Sequence, residues 1–422
     1  MNRPAANNAA VEARLKELLS PAVFAQWWYG RLLGLRDRSL TLPVMVSLTL
    51  TLLWRQVPSV CELARLLARE ELLWSPRLAV SQQALSKRFL TFPYELFQRI
   101  LWSLLPLLKR RWQARQRPLP AAMVHACQHF RRLLSVDGST LEALFRKRKA
   151  LQEVPTGTLA GKIGTVIDLA TRLPEQVWFK EAARAHDTGF TPQGLRFARP
   201  LDLWIFDRGF YDFTFFSRLI ATGAALITRA KSNLVVEVGA VLVHTERVRD
   251  RLITVAGCPY SLRLIEVLVG TTWYRYLTSV TDPAVLPVVV VVDLYRRRWR
   301  IEEAFFIVKR LLNLSYLWTG SVNGVLLQVW STWWFYAVLI DLGDAVAEER
   351  QLPFERISLE MVFRGLYHFS RAYERGEADD PVKYLAAPDN QDLGVVKRIR
   401  RKPRSKAPPR PDSQNLTPEI WA

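Results

Sequence analysis

The chain has 422 residues, half of them hydrophobic, so it is long enough to bury the cores of two or more domains. Its 59 Lys and Arg residues outnumber its 39 Asp and Glu residues, and the formal net charge of +20 predicts a polyanionic partner, with nucleic acid favoured over an acidic membrane surface. The three cysteines, Cys61, Cys127 and Cys258, argue against a disulfide framework and against paired zinc ligands, and they favour a reducing compartment.

The first hundred or so residues predict helices with leucine-rich faces. Ser59 and Ser81 are the expected N-caps of two of them. Residues 80–90 present short polar and basic groups at their start, which fits either a DNA-recognition helix or a helix that only packs. Residues 109–120 are dense in Arg, Gln and Pro, and we interpret them as a linker that also tracks a phosphate backbone.

Two apolar stretches require a choice between a membrane and a protein core. Residues 40–54 are too short to span a bilayer, and polar side chains interrupt residues 322–340. No secretory signal is apparent at the N-terminus. We therefore expect both stretches to form buried helices and expect no membrane partner.

From residue 133 the pattern changes to short apolar runs of strand length, each ended by polar residues or glycine. A helix-like piece at 213–221 precedes the last run, and β-rich alternation occupies about 231–285. This order predicts a mixed α/β sheet, although periodicity alone does not rank one topology first. The predicted strands cover 133–136, 163–169, 176–179, 203–206 and 224–228.

Two aspartates follow predicted strands directly. Asp137 follows residues 133–136, and Asp207 follows residues 203–206. Asp137 precedes a glycine, and Asp-Gly is also a common turn dipeptide, so on its own it fits a turn as well as a ligand. Asp207 fits a ligand better.

A third cluster of polar residues lies in the run from Leu294 to Lys309. At roughly 100° per residue, Tyr295, Arg298, Glu302 and Lys309 lie at about 0°, 300°, 340° and 320° around one continuous helix. The predicted stripe carries a hydroxyl, two cations and a carboxylate, which suits phosphate handling, although a charged surface helix with ordinary ion pairs is the plain alternative. The adjoining face is apolar and predicted to be buried; it consists of Leu294, Ile301, Phe305, Val308 and Leu312.

Neighbouring features have more ordinary explanations. The valine run 288–292 has strand propensity but leads into this helix, so its conformation stays open. Glu303 points away from the stripe. Asp168 and Asp293 are expected either to have structural roles or to lie just outside the metal ligands. A zinc site at His125, Cys127 and His129 is disfavoured because no further ligand pair accompanies them.

The spacing Tyr, two residues, Arg, three residues, Glu, six residues, Lys resembles the Y-R-E-K signature of a group of bacterial cut-and-paste insertion-sequence transposases in the DDE class. Asp137, Asp207 and Glu302 resemble the three acidic positions of that class, in the same chain order. The resemblance covers about residues 133–312. It implies a ribonuclease-H-like catalytic core with a β-rich insertion before the helix that carries Glu302.

In such a site the three carboxylates hold two Mg²⁺ ions about 4 Å apart, and Mn²⁺ is likewise expected to substitute, since hard oxygen ligands select these ions. The resemblance implies that water cuts one strand at the element's end and that the freed 3′ hydroxyl attacks the other strand or the target DNA. A terminal hairpin is a common intermediate in the family.

The resemblance also implies which side chains contact DNA. Trp299 either stacks on a distorted base or belongs to the core. Arginine is expected to fork onto phosphate and lysine to act as a point charge. The expected DNA-binding residues are Tyr295, Arg298, Trp299, Lys309, Arg300 and Lys231.

The predicted organisation has three parts: a helical DNA-binding region with its linker at 1–120, a catalytic domain at 121–345, and a helical part with a basic disordered tail at 346–422. Double-stranded DNA, as terminal inverted repeats and target, is the expected partner of a homodimer, with 325–340 as a candidate interface. The expected location is the bacterial cytoplasm, at the nucleoid. Two alternatives remain: a DNA-binding relative that has lost catalysis, and a structure-specific nuclease with the same fold.

Overall fold

The computed structural model describes residues 9–35, 39–142 and 159–397. The helices are α1 Ala9–Phe24, α2 Trp27–Leu32, α3 Leu42–Trp54, α4 Val60–Arg69, α5 Gln82–Thr91, α6 Tyr94–Ala114, α7 Ala121–His129, α8 Thr191–Phe197, α9 Phe213–Ala221, α10 Val288–Arg297, α11 Arg300–Phe306, α12 Val322–Glu349, α13 Leu359–Glu374 and α14 Pro381–Ala386. The strands are β1 Arg132–Glu142, β2 Leu159–Asp168, β3 Pro174–Lys180, β4 Asp202–Phe206, β5 Ala225–Arg229, β6 Glu237–His244, β7 Val248–Val255, β8 Cys258–Val269 and β9 Thr272–Thr278.

The described residues form two compact units. One comprises residues 9–118 and 304–397 with the strand ends 141–142 and 159–160, and it is helical. The other comprises residues 119–140 and 161–303 and contains the sheet. The three-part division expected from the sequence stays a prediction.

The sheet has nine strands in the order β3-β2-β1-β4-β5-β9-β8-β7-β6. Strand β4 pairs in parallel with both β1 and β5, whereas β2 and β3 are antiparallel. All five predicted core strands are present, and α9 occupies the predicted helix at 213–221. This is the mixed α/β core expected from the sequence.

The β-rich insertion continues the core sheet. Strand β9 pairs with β5 in antiparallel register, and β8, β7 and β6 follow as antiparallel neighbours. The insertion therefore extends the sheet by four strands before the chain enters α10. Its core is apolar, and the buried Arg263 donates to Asp250 across the β7–β8 pair.

One face of the core sheet is packed with aromatic rings. Trp204 and Phe206 are two residues apart on β4, so they share a face, and their rings stack at 5.8 Å. Phe215 and Phe216 of α9 pack against Phe206. This packing fixes the end of β4, where Asp207 follows.

In the helical unit, the Ser59 hydroxyl accepts from Glu62 N and the Ser81 hydroxyl accepts from Ala84 N, as their predicted capping roles require. Helix α3 is buried along its length. Helix α12 is long and apolar enough to cross a membrane, yet 89% of its most apolar stretch is buried inside the fold. Both apolar stretches are thus core helices here, as predicted.

The predicted linker at 109–120 is partly wrong, because α6 continues through Ala114. Two of its cations are also committed to ion pairs rather than free for phosphate. Arg115 lies 2.8 Å from Asp341 and 2.9 Å from Asp344, and Arg117 also pairs with Asp344. Most of the predicted basic tail falls at 398–422, outside the described residues.

The predicted continuous helix from Leu294 to Lys309 is interrupted. The valine run is helical and opens α10, since tertiary burial of Val289–Val292 outweighs strand propensity. The chain then tightens after Arg297, with Arg298 N bonded to Tyr295 O and Glu302 N bonded to Trp299 O, three residues back in each case. Residues Ile307–Leu311 form a π-helical turn. The predicted apolar face is nevertheless buried at all of its positions.

Candidate active site

Asp137 and Asp207 lie side by side at one edge of the sheet. Strands β1 and β4 are parallel neighbours in which Val136 is the register partner of Phe206. The next residue on each strand is the aspartate, so the two carboxylates project from equivalent positions. Asp137 is 8% exposed, and Asp207 is half-buried.

A glycine amide holds each aspartate. Gly138 N donates to Asp137 Oδ1 at 2.8 Å, and Gly209 N donates to Asp207 Oδ1, also at 2.8 Å. The second bond caps the short 3₁₀ turn that follows β4. Each Asp therefore keeps its other carboxylate oxygen for a different partner.

For Asp137, that partner is Arg298. Its Nη1 lies 3.3 Å from Asp137 Oδ2, a long ion pair between two buried side chains. Arg298 Nε is also buried, and it has no hydrogen-bond partner among the described residues. Because a buried guanidinium with an unused donor is costly, this side chain is suited to bind an additional anion.

Glu302 lies close enough to Asp137 to affect its ionisation. The pKa of Asp137 is raised to about 7 by burial and by the carboxylates of Asp207 and Glu302, against the opposing effects of Arg298 and the Gly138 N–H. The three acids, distant in sequence, thus act on one another. Glu302 itself is exposed at the start of α11.

The donor set suits a hard divalent cation, because three carboxylates that repel one another are stabilised by a positive ion among their oxygens. In the described part of the chain, however, no three His, Cys, Asp or Glu side chains form a ready-made metal cluster. Binding therefore requires the side chains to draw together around the cation.

Tyr295 lies beside the acids. Its ring is 5.3 Å from that of Tyr276. Burial raises the pKa of the Tyr295 hydroxyl, Arg298 and Arg229 lower it, and Asp207 raises it. The ionisation of the Tyr295 hydroxyl therefore depends on both arginines and on Asp207.

The remaining residues predicted to contact DNA differ in their exposure and in the protein contacts that they already make. Trp299 is 47% exposed, so its core interpretation is not supported, and Arg298 lies 5.6 Å from its ring. Arg300 forms an ion pair with Glu303 at 2.7 Å. Lys231 Nζ lies 4.7 Å from the Tyr211 ring. Lys309 belongs to the helical unit, and its place in the predicted quartet stays a prediction.

The secondary candidates have structural roles. Asp168 accepts hydrogen bonds from the backbone amides of Ala170 and Thr171. Asp293 is paired with Arg296 and Arg297. These contacts agree with the interpretation of both acids as structural.

Two residues that the sequence did not single out belong to this neighbourhood. Arg229, at the end of β5, affects the pKa of Tyr295; its position two residues before Lys231 was the available signal. Asp187, in a short 3₁₀ turn, places its carboxylate between Gly138 and Gly209. No strand-end pattern marks it, so only the folded structure reveals it.

Residues 128–331 match the family model described as transposase DDE domain. No curated protein matches the sequence significantly. Among solved structures, a piggyBac transposase synaptic complex with hairpin DNA is similar at 12% identity, covering 93% of this chain and 78% of that chain with a TM-score of 0.37. All three carboxylates fall inside the segment 128–331, which thus resembles a transposase DDE domain in sequence.

Proposed function

We propose that this protein is a DNA transposase that cleaves the ends of an insertion sequence and joins the freed 3′ hydroxyl to target DNA. The observation that supports the proposal is that Asp137 and Asp207 follow paired positions of β1 and β4, with Glu302 close enough to raise the pKa of Asp137, within the segment that matches the transposase DDE domain. A buried cation, Arg298, adjoins them.

Asp137, Asp207 and Glu302 would hold two Mg²⁺ ions, with Mn²⁺ as a substitute, and such ions supply an activated water and a stabilised leaving oxygen. No protein nucleophile is needed. The chain's own contribution is to orient the acids through the glycine amides and to place Arg298 where a backbone phosphate is held. Tyr295 adds a hydroxyl at the same place.

Trp299 supports a role in handling distorted DNA. A large aromatic side chain with nearly half of its surface exposed, directly after a buried arginine, offers a stacking surface for a base. Arg300, Lys231 and Lys309 are proposed as further phosphate contacts. The protein would act as a homodimer on two element ends in the bacterial cytoplasm.

The test uses DNA that carries the inverted repeats flanking the gene. Purified protein with Mg²⁺ is expected to cut at the repeat boundary, and a precut end with a free 3′ hydroxyl is expected to be joined to a target plasmid. A denaturing gel then shows whether cut ends pass through a hairpin. Cleavage without joining would instead identify a structure-specific nuclease, and binding without cleavage an inactive relative.

A further inference from the structure

Two lysines hold the short segment 185–190 through hydrogen bonds to its backbone carbonyl groups. Lys162 and Lys180 are register partners on β2 and β3. Lys162 Nζ donates to Ala185 O, and Lys180 Nζ donates to Gly189 O, both at 2.6 Å. Two adjacent strands thus hold both ends of the turn.

An aromatic ring anchors the end of the same segment. Phe190 is buried and stacks on Trp178 at 6.1 Å. It also lies so close to Gly164 that a β-carbon there would come within 2.7 Å of the ring. Because protein interiors are close-packed, this contact leaves the segment little freedom to shift along the sheet.

In this turn, the Asp187 side chain lies next to Gly138 and Gly209, the glycines close in sequence to Asp137 and Asp207. Its Oδ1 occupies the space that a side chain on Gly138 would fill, and its Oδ2 would lie 3.2 Å from a β-carbon on Gly209. Lys162 Nζ lies 2.7 Å from Oδ1. The lysine compensates the charge, so Asp187 adds little net charge to the three acids.

Gly138 and Gly209 are the residues whose amides hold Asp137 and Asp207. The Asp187 carboxylate therefore lies beside both of the backbone segments that orient the catalytic aspartates. We propose that Asp187 is a positioning residue, which, with Lys162, fixes the Gly138 and Gly209 backbones and thereby the spacing of Asp137 and Asp207. This inference rests on the proposed function.

The role differs from that of an ordinary surface ion pair. An exposed pair contributes little, and losing it would leave catalysis unchanged. Partners that orient metal ligands usually change metal affinity or activity by about 10- to 100-fold when removed. The position of Asp187 between the two glycines predicts the second behaviour.

The first test compares Asp187→Ala with Asp187→Asn and with the control Glu181→Ala, an exposed acid in the same loop. The rate of end cleavage and the Mg²⁺ concentration for half-maximal rate are measured together with end binding. Asp187→Ala is expected to lower the rate or raise the Mg²⁺ requirement by about 10-fold or more. Asp187→Asn, which keeps the volume between the glycines, is expected to recover part of the loss, and end binding is expected to stay unchanged.

A double-mutant cycle tests the contact itself. Gly138→Ala introduces a β-carbon where Asp187 Oδ1 lies and is expected to impair cleavage strongly. In an Asp187→Ala background the remaining close neighbour of that β-carbon is Lys162 Cε at 2.9 Å, near the end of a flexible side chain that can move, so Gly138→Ala is expected to cost little more. Additive losses would overturn the proposal, as would an Asp187→Ala enzyme within twofold of the wild type in both rate and Mg²⁺ requirement.

A third measurement separates this inference from the proposed function. Mn²⁺ binding to each variant is followed by electron paramagnetic resonance without DNA. A wild-type protein that never cleaves would contradict the proposed transposase, whereas weakened Mn²⁺ binding by Asp187→Ala would still support the positioning role. Unchanged Mn²⁺ binding together with unchanged cleavage by a competent wild type would refute the positioning role alone.

Discussion

Replacing Asp137 with asparagine should stabilise the metal-free protein at pH 8, even though it removes a catalytic group. Asparagine has nearly the shape of the protonated acid but cannot ionise. In the folded protein, the ionised form is disfavoured by burial and by Asp207 and Glu302. Asp137→Asn relieves that cost, so its free energy of unfolding should exceed that of the wild type.

The magnitude follows from the pKa of Asp137, which rises from its ordinary 3.8 to about 7 on folding. At ~1.4 kcal/mol for each pH unit, the ionised group costs up to about 4 kcal/mol. A raised pKa means that the folded protein binds the proton more tightly than the unfolded chain does. The wild-type protein should therefore lose this stability as the pH rises from about 4 to 7, with no further loss above.

The assay is urea unfolding in EDTA at pH 5 and pH 8, with Glu303→Gln as a matched control. Glu303 is exposed and paired with Arg300, so its loss should change the free energy of unfolding by less than about 1 kcal/mol. Adding Mg²⁺ should stabilise the wild type more than the variant. An Asp137→Asn protein that is no more stable than the wild type at pH 8 without metal would refute the reasoning.

Three other outcomes are expected. Glu302→Ala should abolish cleavage while sparing end binding, as should the alanine variants of the two aspartates; cleavage by any of these proteins on a sequencing gel would remove that residue from the site. Arg298→Ala should weaken binding and reduce the slope of log K against log salt by about 1, whereas an unchanged slope in salt titrations would exclude its phosphate contact. Asp344→Ala should lower the free energy of unfolding by about 3–5 kcal/mol, because it removes the carboxylate that pairs with the buried Arg117 and one of the two that pair closely with Arg115; a loss no larger than that of the partly exposed Glu360→Ala would contradict this.

Much of the core could be predicted from the sequence because local patterns and the fold agree there. Asp137 and Asp207 directly follow apolar runs, and parallel pairing of β1 with β4 turns that sequence position into spatial proximity. The burial of the apolar face of the Glu302 segment was likewise readable from its spacing. These features depend on strand ends and helical periodicity, both of which are visible in short stretches of the sequence.

The break between α10 and α11 was not predictable in the same way. No glycine or proline marks it, and the tighter hydrogen bonding after Arg297 arises in the packed structure. Helical-wheel angles that assume one continuous helix therefore do not give the relative directions of side chains from Arg298 to Lys309. Asp187 was missed for a related reason: its contacts with Gly138 and Gly209 join three separate parts of the chain, and no local pattern encodes such an encounter.

The most direct test of the account asks whether one bound cation lies near all three acids. Fe²⁺ bound in place of Mg²⁺, with ascorbate and peroxide, generates radicals that cut the nearby backbone, and mass spectrometry locates the cuts. The account predicts cuts clustered near Asp137, Asp207 and Glu302 that excess Mg²⁺ suppresses. Cuts at only one of these positions, or elsewhere in the chain, would contradict it.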